Sequence, residues 1–308
     1  MLEKNKITIL SMNNFFDCVI HRLASAFDVV YPHSIEDNKF IQGAMTTPWT
    51  TITGETIKQL PNLKIISCFG TGIDSVDSIM AKENKIIITN TPDVVTEDTA
   101  DIAITLLLCL SRNIIINDQF AKSGQWKVSS PPLGKSPQGK NLGIVGLGKI
   151  GKRIAEKAIQ FGLSIAYHGR HKQNVPYQYF NNLIEMAENS DYLIVSCTGG
   201  EGTKNIINID TLNALGQSSY LINVSRGSTI NESDLIYALE NNIIAGIGLD
   251  VYQNEPNIPE PLLHMKNVVL LPHIGTATEE TRIKMLNMVI DNIISYFTNS
   301  TTINPVNY

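Results

Sequence analysis

Residues 141–170 read NLGIVGLGKIGKRIAEKAIQFGLSIAYHGR. A short apolar run ends at Val145 and is followed by Gly146-Leu147-Gly148-Lys149-Ile150-Gly151, a G-x-G-x-x-G pattern. Apolar residues then recur at helical spacing through Ile154, Ala158 and Phe161, so the stretch reads as strand, turn and helix. Gly146 permits a tight turn, Gly148 lets backbone approach a pyrophosphate, and Gly151 allows close packing of helix on strand. The helix N-terminus adds unpaired N–H groups and partial positive charge. A glycine turn in an ordinary packed unit is the plain alternative; the full context of strand, glycines and helix favours a dinucleotide site, with Gly146 to Gly151 as its phosphate-binding turn.

The strand that follows, Ser164 to Tyr167, ends in His168-Gly169-Arg170-His171-Lys172. An NAD site carries an acid about 20 residues after the glycines to accept hydrogen bonds from the ribose 2′-OH. No carboxylate occurs between Glu156 and Glu185. Arg170 and Lys172, presented beside Gly169, suit a 2′-phosphate, which points to NADP(H) over NAD(H), with NAD(H) still possible. A merely solvated basic loop is the competing explanation.

Outward from this segment, β-branched runs alternate with helical patterns along most of the chain, the signature of βαβ units and parallel sheets. Strands are expected at Ile7 to Leu10, Val29 to Tyr31, Phe40 to Met45, Leu63 to Phe69 and Ile86 to Asn90. A second group is expected at Leu142 to Val145, Ser164 to Tyr167, Tyr192 to Ser196, Tyr220 to Val224, Gly246 to Asp250 and Val268 to Leu271. The class is α/β with two sheets. Thr96 to Ile116 reads as a connecting helix with acids in its first turn. Ser123 to Gly139, rich in Ser, Pro, Gly and Lys around Trp126, reads as a surface excursion. Thr278 to Phe297 reads as a helix returning to the first domain.

The 308 residues suffice for about two domains. Lys and Arg number 24 against 29 Asp and Glu, a net charge of −5, which removes the basic excess a nucleic acid or an anionic membrane would need. The longest apolar stretches, such as Leu106 to Leu110, fall far short of the ~20 residues of a membrane span. MLEKNKITIL lacks the unbroken apolar region of a secretory signal, and a cytoplasmic location is expected. Cys18, Cys68, Cys109 and Cys197 lie far apart with no metal-ligand spacing, so reduced thiols and no metal site are expected.

Three further segments stand at predicted strand ends: Asn223-Val224-Ser225-Arg226-Gly227, Leu249 to Pro256 (LDVYQNEP) and Pro272 to Thr278 (PHIGTAT). Open parallel sheets bind ligands at that edge, so Arg226, Glu255 and His273 can converge there. The glycine motif, VSRG, LDVYQNEP and PHIGTAT, in this order, resemble the D-isomer-specific 2-hydroxyacid dehydrogenase family. GTGIDSVD (Gly70 to Asp77) and TPDVVTEDTAD (Thr91 to Asp101) resemble its substrate-domain and hinge segments, so the likeness covers nearly the whole chain. GRHK is similar to the NADPH-preferring glyoxylate and hydroxypyruvate reductases.

The resemblance implies two doubly wound parallel-sheet domains with a cleft between: a flavodoxin-like substrate domain (1–97 plus 278–308) and a Rossmann dinucleotide-binding domain (98–277). It implies reduction of a small 2-oxo acid, such as glyoxylate or hydroxypyruvate, to the D-2-hydroxy acid. His273 would be the general acid, Glu255 its orienting partner, and Arg226 the cation for the carboxylate and keto oxygen. Backbone N–H groups near Thr71 and Gly72 would hold the carboxylate. Asp250, Cys197, Thr198, Val224, Ser225, Gly275 and Thr96 would lie along the cofactor, and the protein would be a homodimer with the long helix near Thr96 to Ile116 and the Trp126 excursion as its interface. Trp49 either closes over substrate or packs. A D-3-phosphoglycerate or other D-2-hydroxyacid dehydrogenase using NAD, and a dinucleotide-sensing binding protein on the same fold, remain alternatives.

Overall fold

The computed structural model describes residues 7–13, 17–32 and 38–307. It divides into two compact units, one of Met1–Val95 with Thr278–Tyr308 and one of Thr96–Ala277.

The first unit holds a five-stranded parallel sheet built from β1 (Thr8–Ser11), β2 (Asp28–Val30), β3 (Ile41–Thr46), β4 (Ile65–Cys68) and β5 (Ile87–Thr89), in the order β2-β1-β3-β4-β5. This is the flavodoxin-like order. Leu10, Ile41, Ala44, Ile66 and Ile88 form its core with Ile52, Ile57 and Val76. The helix Glu279–Asn299 belongs to this unit; the Ser67 hydroxyl on β4 donates to the Val289 carbonyl at 3.1 Å.

The second unit holds β6 (Asn141–Val145), β7 (Ser164–His168), β8 (Gln178–Phe180), β9 (Tyr192–Val195), β10 (Tyr220–Asn223), β11 (Gly246–Leu249) and β12 (Val268–Leu270). Their order is β12-β11-β10-β9-β6-β7-β8, all parallel, a doubly wound sheet whose direction of winding reverses between β6 and β9. Successive strand residues point to opposite faces, and both faces are covered. Val145, Leu193, Val195 and Leu221 enter one core with Leu212 and Leu235 from helices Ile209–Leu215 and Glu232–Glu240. Ile144, Ile194 and Ile222 enter the other, against Leu106 and Leu107 of Thr96–Ser111 and Ile154 and Ala158 of Lys149–Gln160.

Two features depart from the sequence expectation. The helix expected over Thr96 to Ile116 ends at Ser111, and a second one, Ile114–Lys122, starts after a 61° bend. Asn113 sits at the break in the left-handed region (φ 52°), which Asn tolerates better than most residues. Strand β8 was not expected: it is three residues long, follows Pro176, and lies at the sheet edge, where no continuous apolar run is required. The Ser123 to Gly139 segment is almost wholly exposed, with a single 3₁₀ turn at Gln125–Lys127. Cys68, Cys109 and Cys197 are unpaired; burial, with a smaller push from Asp74, raises the Cys68 thiol to about 12. The Cys18 side chain lies outside the described residues. Among the described residues no single helix is long and apolar enough to cross a membrane.

Candidate active site

Parallel register sets the site. Val145 pairs with Val195, Val195 with Asn223, Asn223 with Leu249, and Leu249 with Leu270. The residues one step on, Gly146, Ser196, Val224, Asp250 and Leu271, therefore leave the sheet along one row at its C-terminal edge. Within this unit, the loops carrying the glycine turn, Arg226, Glu255 and His273 start from that row.

At the winding reversal, Gly146 has φ 94° and lies so close to Cys197 that a Cβ would meet its backbone at 2.5 Å. A Cβ on Gly151 would overlap the Gly146 carbonyl, so the helix Lys149–Gln160 stays tight on its strand only with glycine there. Gly148 differs: a Cβ there meets nothing within 4 Å. Among the described residues nothing fills the space above it, and the first turn of the helix has no side-chain cap, whereas Asn182, Asn208 and Asn231 cap three other helices of this unit. Open space over uncapped N–H groups fits a pyrophosphate. Leu147 is buried in the core beneath the turn, with Ile150 packed beside it, and Lys149 is exposed. Gly169 likewise faces open space, with exposed Arg170 and Lys172 after it.

Arg226 is positioned by its neighbours. Asn223, buried at the end of β10, accepts from the Ser225 N–H at 3.0 Å and donates to the Arg226 carbonyl at 3.0 Å. Thr229 donates to the same carbonyl at 2.6 Å, and the Ser225 hydroxyl donates to the Cys197 carbonyl at 2.6 Å. A Cβ on Gly227 would overlap the Tyr252 carbonyl, so this turn packs directly on the turn that carries Glu255.

His273 and Glu255 meet as a pair: Nδ1 of the imidazole lies 2.7 Å from Oε2 of the carboxylate, each side chain about one-fifth exposed (21% and 20%). The other oxygen, Oε1, accepts the Tyr252 N–H at 3.0 Å. Burial works to raise the Glu255 pKa, but the His273 hydrogen bond and charge, the Tyr252 N–H and the charge of Arg226 outweigh it and hold the carboxyl below its usual value. Arg226 is thus electrostatically part of the same site. Asp250 is buried, and its two oxygens accept the N–H groups of Ile274 at 2.7 Å and Gly275 at 2.8 Å. Burial raises the Asp250 pKa, against the lowering effect of those N–H groups and of His273. Thr99 donates to the Gly275 carbonyl at 3.2 Å, so the His273 loop is fastened on both sides. Thr96 opens the same helix, half-buried; Thr198 is exposed and Val224 buried at the sheet edge.

In the first unit, Thr71 and Gly72 lie in the loop after β4, fastened by Asn90, which donates to the Thr71 carbonyl at 2.7 Å, and by Thr91, whose hydroxyl accepts the Gly70 N–H at 3.0 Å. Trp49 is half-exposed, with the Arg282 guanidinium 5.5 Å from its ring centre and 5.2 Å from that of Phe69.

The profile of the "D-isomer specific 2-hydroxyacid dehydrogenase, NAD binding domain" matches residues 104–275. The chain belongs to the D-isomer-specific 2-hydroxyacid dehydrogenase family. It is similar to a glyoxylate/hydroxypyruvate reductase A of Arabidopsis thaliana, 43% identical over 81% of this chain and 80% of that one. It is also similar to a 2-ketogluconate reductase of Gluconobacter oxydans, 38% identical over 98% and 99% of the two chains. Among solved structures it resembles an NADPH-dependent glyoxylate/hydroxypyruvate reductase from Sinorhizobium meliloti in complex with NADP and malonate, with a TM-score of 0.94, 39% identity, and coverage of 98% and 97%.

As a member of this family, the chain is an oxidoreductase built around a nucleotide-binding domain. Sequence reasoning missed Asn223, Thr99 and the Tyr252 N–H as positioning groups. All three stood inside quoted motifs, but the carbonyl that Thr99 holds, that of Gly275, lies 176 residues away, so the motif gave no sign of the contact.

The depressed Glu255 pKa has a definite sign in stability. A carboxylate whose folded pKa lies below its unfolded one contributes stability above the ordinary Glu value of about 4.3, and loses it as pH falls through the lower folded value. The Glu255→Gln variant should therefore melt below the wild type near neutral pH, and the gap should close on acidification into that window. A pH-independent gap in thermal midpoint would contradict the assignment.

Proposed function

We propose that the protein reduces a small 2-oxo acid, such as glyoxylate or hydroxypyruvate, to the D-2-hydroxy acid with NADPH. The observation that carries this reading is the Glu255–His273 pair at 2.7 Å, seated beside Arg226 on the sheet edge that also bears the uncapped glycine turn. When bound, a nicotinamide coenzyme would supply the hydride for the carbonyl carbon. Every other task falls to the chain.

Arg226 forks onto the substrate carboxylate and keto oxygen, fixing the acid's orientation and drawing charge toward that oxygen. With Nδ1 of His273 engaged by Glu255, Nε2 is the nitrogen assigned to proton delivery onto the developing alkoxide. Glu255 keeps the ring in that orientation and balances its charge. Asp250 and Thr99 hold the loop that carries the ring, and Gly275 and Asp250 are the residues that would hold the nicotinamide end of the coenzyme. Backbone N–H groups at Thr71 and Gly72 are assigned to the substrate carboxylate.

On the cofactor side, Gly146, Leu147, Gly148, Lys149, Ile150 and Gly151 take the pyrophosphate; Gly169, Arg170 and Lys172 take the 2′-phosphate; Thr96, Cys197, Thr198, Val224 and Ser225 line the remainder. The unit of Thr96–Ala277 is then the cofactor domain and that of Met1–Val95 with Thr278–Tyr308 the substrate domain. Support for NADP comes from the absent carboxylate after β7, the basic loop in its place, and the NADP carried by the S. meliloti reductase. A proton-donating pair has no task in a pure dinucleotide sensor, which favours catalysis over that alternative.

A homodimer is part of the same proposal. Helix Ile114–Lys122 buries none of its side chains, and the segment after it exposes Trp126 at 72%, Val128 at 84% and Leu133 at 92%, an apolar surface suited to a second copy. Sedimentation should give twice the 34.0 kDa chain mass, and a monomer would refute this part.

The deciding assay follows nicotinamide absorbance with glyoxylate and hydroxypyruvate, each with NADPH and with NADH. NADPH should be oxidised much faster than NADH, and Arg170→Ala should weaken NADPH use roughly tenfold or more with NADH little changed, as for a lost charge-assisted pair. Cofactor binding without turnover of any 2-oxo acid would favour the sensor reading.

A further inference from the structure

The basic loop after β7 is tied to the glycine turn by contacts that no sequence motif announces. The Gly146 N–H donates to the His168 carbonyl at 2.8 Å. Five residues later, the Gln173 side-chain amide donates from Nε2 to the Leu147 carbonyl at 2.8 Å. The Gln173 backbone N–H in turn donates to the hydroxyl of Tyr167, a fully buried residue on β7, at 2.6 Å. Tyr179, on the edge strand β8, donates its hydroxyl to the Gly169 carbonyl at 3.2 Å and stands 5.3 Å from the Tyr167 ring. The span Arg170-His171-Lys172 therefore projects into solvent between two fixed ends, Gly169 and Gln173.

We infer that Gln173 is a positioning residue for coenzyme selection, locking the Arg170–Lys172 loop to the Leu147 carbonyl so that a dinucleotide's pyrophosphate and its 2′-phosphate are gripped at one fixed spacing. The inference rests on the NADPH reading above. Two long, exposed cations bind a phosphate well only if little freedom is lost in doing so, and a loop fastened at both ends has already lost it. Leu147 is the residue between Gly146 and Gly148, so one amide connects the turn assigned to the pyrophosphate with the loop assigned to the 2′-phosphate. NADH, which lacks the 2′-phosphate, uses only the first of these and gains nothing from the connection.

The test compares wild type with Gln173→Met, which keeps the length of the side chain and removes the donor. Binding constants and kcat/KM are measured for NADPH and NADH, together with thermal midpoints. The ratio of NADPH to NADH efficiency should fall about tenfold, the worth of roughly one hydrogen bond. That fall should come through KM for NADPH, with kcat and the NADH constants within about twofold. Tyr167→Phe, which removes the hydroxyl holding the Gln173 N–H, should move the ratio the same way and serves if Gln173→Met does not fold. An unchanged ratio in a wild type that prefers NADPH overturns the inference, as does an equal loss for both coenzymes, which marks a structural role only. A wild type without NADPH preference overturns the coenzyme reading itself, and the inference with it.

Discussion

The role proposed for His273 depends on where its backbone is held, and that backbone lies in the left-handed region at φ 54°. For a residue with a Cβ this conformation costs on the order of 1–2 kcal/mol. Two carboxylates from one short segment keep it there. Asp250 takes the N–H groups of the two residues after the histidine, and Glu255 takes the ring itself. Neither carboxylate floats: Asp250 is buried at the end of β11, and Glu255 is anchored through its second oxygen to the Tyr252 N–H. Removing either acid leaves buried donors unpaired and returns the strained loop to a freer state.

The sheet supplies the precision behind this. Because every strand of the second unit is parallel and in continuous register from β6 to β12, the C-terminal edge is a straight row of departure points. Glycines at Gly146 and Gly227 let neighbouring turns approach to backbone contact, at Cys197 and Tyr252 respectively, where any side chain would push them apart. The glycine turn, the arginine turn, the glutamate turn and the histidine loop are thus packed on one another. The proposed chemistry rests on the spacing that this packing imposes.

Much of this was legible in the residues. Eleven strands, the glycine turn and the three charged residues of the site stand in ordered motifs whose spacing reflects one strand-to-loop unit after another. What escaped has physical reasons. Strand β8 is short and lies at an edge, so no apolar pattern marks it. The break at Asn113 interrupts a sequence whose apolar spacing continues smoothly, because a single left-handed residue is a backbone event. The Thr99 hydroxyl and the Gln173 side-chain amide each hold a carbonyl, 176 and 26 residues away, and only the folded chain brings those partners into reach.

The central claim is that Glu255 and His273 work as one device. A double-mutant cycle on kcat/KM for 2-oxo acid reduction, using Glu255→Gln, His273→Gln and the combined variant, tests it directly. If Glu255 acts through the imidazole, the double variant should be no worse than His273→Gln alone, whose loss should lie at roughly 10²–10⁴-fold. Losses that multiply would mean that the two residues act independently, and the pair would then be a neighbourly contact and not the proton-delivering unit.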